Sequence, residues 1–479
     1  MTNPGDGSAG STDSSTDAVS RRLHQVCVRT SLSPQELGVV RLYDRAHVDP
    51  DAHGPLRGLD VLVKDLNRVA GEVTTFGEPS HAVRSTSSDD AVQRLLDDGA
   101  RLVGSSVTAE FGATVYTEPS VGRGPVNPVD PSLTTGGSSS GAAVAVARGV
   151  VDVAHASDGG GSIRVPAAAV GLPGLKPRHP VFPDSDAPGK TPVLPNPGAQ
   201  GYIAADLELT ARAYGATDSP APWWESVSRR ATAGRPLRVG HTNLPFHSQE
   251  AVAPSVANAT GAAAALLVTH PGVSGVAPVD PPYPVERFKV FSDVMAARCA
   301  GLPSPVTAMP TWLRSCGQSL SSERVAEASA AVRSLPEDVC AAWAEVDVVI
   351  TPTLAFPPPP VGAFSRFSDP AVGRPELDFA AQTAWTPWAT LWNLTGWAGL
   401  SVPLVPARPG GSAGSAVSSA STPTVPHGRW PVSVHLGAVS DRVSVAELLD
   451  LGAHLQDAVA GLVSADPDAL DVLTAPVRR

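Results

Sequence analysis

A chain of 479 residues with 42% apolar and 17% charged residues is long enough for a sizeable core and reads as globular, and its 44 glycines and 48 prolines point to many tight turns. The formal charge of −11, from 35 basic and 46 acidic residues with no Lys/Arg run, argues against nucleic acid as a partner. No run of 18 apolar residues and no basic-then-apolar leader occurs, so neither a membrane span nor secretion is expected, and the cytoplasm is the default.

Residues 1–18 are rich in Ser, Gly, Thr and Asp and are expected to be a disordered tail, with structure starting near Val19. Val61 and Val63 alternate with Leu62 and Lys64, a strand pattern that ends on a lysine among apolar neighbours. A capping box at Asp90–Gln93 predicts a helix through Leu95 and Leu96 that stops at Gly99, followed by a strand over Arg101–Gly104. A small-residue helix from Ser139 to Arg148, stopped by Gly149, leads into a strand in which Val151, Val153 and His155 alternate with Asp152 and Ala154. Cys27, Cys299, Cys316 and Cys340 show neither metal-ligand spacing nor a disulfide framework.

Further along, a Pro-rich loop spans His179–Ala199 and a strand is expected at Leu237–Gly240. A helix over Glu286–Cys299 places Phe288, Phe291 and Met295 on one face, and a helical run over Glu323–Trp343 should be broken in two by Pro336. Asp347–Pro352 and Val432–Leu436 read as strands, residues 407–427 as a low-complexity surface insertion, and Ser444–Glu447 as the capping box of a closing helix. This alternation predicts an α/β fold, a mixed sheet covered by helices.

Chemistry is concentrated in GGSSSGAAVAVARGVVDVAHASDGGGSIRVP, residues 136–166. Ser138 and Ser162 each stand beside consecutive glycines, whose exposed amides can converge on one oxyanion. The competing role for both serines is helix capping. Gly137–Gly141 formally matches G-x-S-x-G with Ser139 as nucleophile, but Pro131–Thr135 before it lacks the strand that a nucleophile elbow requires. Lys64, if buried, could serve as a neutral amine. His155 is better read as packed than as a base. Trp385, Trp388, Trp392 and Trp397 form a cluster whose ordinary reading is core packing, with an aromatic acyl pocket as the alternative.

Together, GGSSSG (136–141), SDGGGSIRVPAA (157–168) and GLDVLVKD (58–65) resemble the signature of the amidase signature family, and TTFG (74–77), AEFG (109–112), GLKP (174–177), NLTG (393–396) and WPVSVHLGA (430–438) extend the match. Departures include Asp60 for a proline, Ser140 for a glycine and Ser157 for a threonine. The resemblance implies one domain over residues 19–479, with a twisted central sheet and helices on both faces. It also implies hydrolysis of a small linear amide through an acyl-enzyme: Ser162 as nucleophile, Ser138 as proton relay after a cis peptide bond, and Lys64 as base. The amides of Gly159, Gly160, Gly161 and Ser162 would form the oxyanion hole, with Asp158 and Arg164 supporting them. No cofactor or metal is implied, and a homodimer is a family-level expectation. Two other readings are a glutamine-dependent amidotransferase A-type subunit and a catalytically idle binding protein on the same fold.

Overall fold

Eleven strands form one mixed sheet in the computed structural model, which describes residues 14–183, 193–406 and 428–476. In chain order they are β1 (Val39–His47), β2 (Asp60–Lys64), β3 (Arg101–Ser106), β4 (Val153–Asp158), β5 (Gly174–Lys176), β6 (Ala199–Ala204), β7 (Leu237–His241), β8 (Val273–Pro278), β9 (Val348–Pro352), β10 (Gly399–Pro403) and β11 (Ser433–Ala438). Across the sheet the order is β1-β3-β2-β4-β6-β5-β10-β11-β9-β7-β8. Pairing is parallel among β3, β2 and β4 and among β9, β7 and β8, and antiparallel from β4 to β9 and at β1.

The helices include α1 (Ser14–Thr30), α2 (Asp90–Asp97), α3 (Ser140–Ala147), α4 (Arg164–Val170), α5 (Phe288–Cys299), α6 (Ala308–Gln318), α7 (Ser322–Ala342), α8 (Pro375–Trp385), α9 (Thr390–Thr395) and α10 (Val445–Ala465). With helices on both faces, the central strands have no solvated side. Every side chain of β9, β10 and β11 is buried, and in β4 only Ser157 is partly exposed, so the alternation expected around Val153 and His155 does not occur.

Helix α3 is buried from Ser140 to Val146 because it lies against backbone: a Cβ on Gly141 would meet Val107 N at 2.3 Å and Gly38 O at 2.6 Å. Small side chains are what allow this approach. On the same side, Val19, Leu23 and Val26 of α1 pack with Ala142–Val146. That helix begins at Ser14, ahead of the expected start near Val19; residues 1–13 of the expected tail and the 407–427 insertion lie outside the described residues.

Two local expectations are corrected. Asp89, not Asp90, is the N-cap of α2, and no side-chain cap forms, because the Asp89 carboxylate accepts instead from Arg68 N (2.9 Å) and Nε (2.8 Å). Pro336 does not split α7, which is continuous from Ser322 to Ala342. Ala328, Val332, Leu335 and Val339 hold both halves on one core, and Arg287 donates to Ala331 O (3.4 Å) and to Asp338 Oδ2 (2.6 Å), one on each side of the proline. The Ser444–Glu447 capping box of α10 forms as read from the sequence.

Candidate active site

The C-terminal end of β2 delivers Lys64 into the protein, and the parallel pairing of β2 with β4 sets it beside Ser157. Lys64 Nζ lies 2.7 Å from Ser138 Oγ, 3.0 Å from Ser157 Oγ and 3.4 Å from Ser157 O. The serine that replaces threonine at 157 therefore still supplies a hydroxyl. Ser138 follows a cis peptide bond from Gly137. A Cβ on Gly137 would stand 2.7 Å from the Tyr116 carbonyl oxygen, so only glycine fits this turn.

Neither serine is a helix cap: the N-cap of α3 is Ser139 and that of α4 is Ile163. Ser139 Oγ is held by the backbone of Ser157, donating to its carbonyl (3.3 Å) and accepting from its N–H (3.4 Å), and no strand precedes it at Pro131–Thr135. A nucleophile elbow at Ser139 is thereby ruled out.

All three candidate catalytic residues are buried: Lys64 is 0% exposed, Ser138 1% and Ser162 7%. Among the described residues, no hydrogen bond joins Ser162 Oγ to Ser138 Oγ. Burial brings the Lys64 amine down to about 7, against a smaller upward pull from Asp158. His155 is kept out of the chemistry. Burial, then the nearby Lys64 charge, lowers it to about 4, and its Nδ1 accepts from Lys64 N (3.3 Å), which leaves Nε2 to donate to Gln200 Oε1 (3.1 Å).

The glycine loop is organised around Asp158. Its carboxylate accepts from the backbone N–H of Gly161 (2.7 Å), Ile163 (3.1 Å) and Arg164 (3.4 Å), and from Arg164 Nε (3.0 Å) and Nη2 (2.9 Å). Burial alone would raise this carboxyl, but the Arg164 charge and the hydrogen bonds from Arg164 and Asn393 hold it well below the ordinary carboxylate range. One consequence corrects the expected donor set: the Gly161 N–H is bound to Asp158 and is not free for an oxyanion. Around Gly159, by contrast, a Cβ would meet nothing within 4 Å, and Gly160 and Ser162 N–H have no hydrogen-bond acceptor among the described residues.

Two further residues complete this network, and a third bears on it only through its charge. Asn393 Nδ2 donates to Asp158 O (2.7 Å), Asp158 Oδ1 (2.9 Å) and Pro197 O (3.0 Å), while its Oδ1 accepts from Arg164 Nη2 (2.8 Å). His435 Nε2 lies 3.2 Å from Arg164 Nη1. Lys176 is a second fully buried lysine. The NLTG, WPVSVHLGA and GLKP segments were the only sequence signal for these three, and that signal assigned them no role. The Trp385–Trp397 cluster is core: Trp385, Trp388 and Trp392 are at most 1% exposed, and their indole N–H groups donate to Phe356 O, Leu244 O and Ala438 O.

The family model described as Amidase matches residues 21–434. The chain is 32% identical over 388 residues to the putative amidase AmiB2 of Mycobacterium tuberculosis, covering 75% of this chain and 79% of that protein. Among solved structures, 6-aminohexanoate cyclic dimer hydrolase complexed with substrate superposes with a TM-score of 0.70 at 22% identity, covering 94% of this chain and 95% of that one. A bacterial aryl acylamidase of the amidase signature family superposes at 0.66 and 18% identity, covering 97% and 95%. At those identities the superpositions speak to the fold. The family model and the mycobacterial relative reach further, and on them the chain belongs to the amidase signature family.

Proposed function

We propose that this protein hydrolyses a small linear carboxamide to a carboxylate and an amine or ammonia, with Ser162 as nucleophile, Ser138 as relay and Lys64 as base. The observation that carries the reading is Lys64 Nζ, fully buried, brought down to about 7 and 2.7 Å from Ser138 Oγ. At that value a large fraction of the amine is neutral at pH 7, and a neutral amine can accept a proton.

Ser162 Oγ adds to the substrate carbonyl carbon as its proton passes to Ser138 Oγ, whose own proton passes to Lys64 Nζ. The carbonyl electron pair becomes an oxyanion, which the Gly159, Gly160 and Ser162 amides would receive; losing one such donor typically costs about 10²–10³ in rate. Collapse expels the amine, which takes back the proton through Ser138, and leaves an ester on Ser162. Water repeats the sequence and frees the carboxylate. The bond between Ser162 and Ser138 is formed when substrate is bound, since catalytic hydrogen bonds often tighten only in the substrate complex.

A fluorophosphonate should label the protein at Ser162, located by peptide mapping, and the purified chain should hydrolyse members of a panel of aliphatic, aryl and cyclic amides. Labelling elsewhere, or none on a folded protein, would sink this reading. Preference for the cyclic member would remove the word linear. Ammonia released into solvent by the chain alone would set aside the amidotransferase reading, which needs a partner subunit. We place the enzyme in the cytoplasm, where its four unpaired cysteines would stay reduced, and we expect a homodimer, read by sedimentation.

A further inference from the structure

The tryptophan cluster is sealed in the core, but another row of rings borders the site. Phe291 of α5 comes so close to the nucleophile loop that a Cβ on Gly160 would lie 3.0 Å from its Cζ. Phe288 stacks on Phe291 with centroids 5.5 Å apart and planes 28° apart. Phe379 of α8 follows Phe288 at 6.0 Å, and Trp312 of α6 follows Phe379 at 5.6 Å. Trp312 and Phe379 pack on the Cys299–Met309–Leu313 cluster, and so does Ala113. Ala113 is the neighbour of Gly112, where a Cβ would stand 3.4 Å from Ser138 Oγ. The row thus starts at the loop that carries Ser162 and ends on an apolar cluster that Ala113, next to the turn facing Ser138, also joins.

Two features separate these rings from ordinary core. Phe288, Trp312 and Phe379 are only partly buried, unlike the tryptophans of the cluster. Their supports are also polar and firm. Glu110, in the same turn as Gly112, accepts from Val306 N (2.7 Å) and Thr307 N (2.8 Å) at the entry to α6, and His81 Nε2 lies 2.7 Å from it. His247 stacks on Phe288 at 4.9 Å, with Nδ1 2.8 Å from Thr390 Oγ1 and Nε2 2.8 Å from Tyr283 Oη.

The geometry points to Phe291, Phe288, Phe379 and Trp312 as the wall that receives the substrate's acyl group, and to aryl or arylalkyl carboxamides as the favoured substrates. This rests on the reading of Ser162 as the acylated serine. A row of rings presents faces and edges of opposite partial charge, so a flat aromatic group gains there beyond its buried area, whereas a saturated ring of equal size gains only the area.

Calorimetric titration of the full-length Ser162→Ala protein with phenylacetamide and cyclohexylacetamide tests the wall without turnover. The phenyl compound should bind about 2- to 10-fold more tightly, the range that aromatic pairing supplies. Adding Phe288→Leu or Phe379→Leu should bring that ratio close to one; two variants are used so that misfolding of one, seen by circular dichroism, leaves the other. Equal binding, no binding of either compound, or a preference that survives both leucine changes would overturn the inference. Fluorophosphonate labelling of the unaltered protein separates the two failures. Ser162 labelled with no aryl preference removes the wall and leaves the reaction; a wall-dependent preference with Ser162 unlabelled removes the reaction and leaves the wall.

Discussion

Lys64 and Lys176 are both 0% exposed, both end short strands of the sheet, and both are pushed down by burial. Their partners differ. Lys64 meets the hydroxyls of Ser138 and Ser157, groups that can accept a proton or give one up. Lys176 donates to the carbonyls of Pro177 (2.8 Å) and Trp397 (2.8 Å) and to His179 Nδ1 (3.1 Å), whose Nε2–H is taken by Asn196 O (3.2 Å). A carbonyl has no proton to return. Burial makes a lysine unusual, but the chemistry of its neighbours decides whether it can move a proton or only tie strands together.

The comparison breaks most visibly at Lys64. Lys64→Ala should slow fluorophosphonate labelling and amide turnover by about 10²–10⁴, the usual contribution of a positioned base, with circular dichroism unchanged. Combining it with Ser162→Ala should be little worse than Ser162→Ala alone, because the residues act as a unit. A Lys64→Ala protein that labels at the native rate would show that this lysine is as inert as its counterpart.

Lys176→Met should do the reverse. It leaves the buried Trp397 carbonyl without a donor, at about 1–3 kcal/mol, and the part-buried Pro177 carbonyl too, so the urea midpoint should fall while the labelling rate per folded molecule stays within a few-fold. Loss of labelling at full stability would merge the two roles.

Acidity distinguishes the pair next. Turnover should rise with pH through about 7 as Lys64 loses its proton. The same shift acts on stability. The folded value lies below the unfolded one near 10.4, so the penalty of the buried ammonium is full below pH 7 and is relieved as pH rises toward the unfolded value. Lys64→Met should therefore gain most over the unaltered protein at acid pH, in urea titrations at pH 6 and pH 9. An equal difference at both would mean that the amine is not shifted. The smallest effect is reserved for Ser157→Thr, which retains a hydroxyl where one now lies 3.0 Å from Lys64 Nζ and should leave the labelling rate within about three-fold, because no hydrogen-bonding group is removed.

What could be read from the sequence was local. Consecutive glycines beside Ser138 and Ser162, a lysine closing an apolar strand and a Ser–Glu capping box are all encoded within a few residues, and the structure has them at those positions. The loss of alternation in β4, the unbroken α7 across Pro336 and the diversion of the Gly161 amide to Asp158 were decided only by the tertiary structure. The physical reason is separation along the chain. Arg164 finds Asn393 and His435 more than 200 residues away, and Lys176 reaches the Trp397 carbonyl 221 residues further along, so no window of sequence contains both partners.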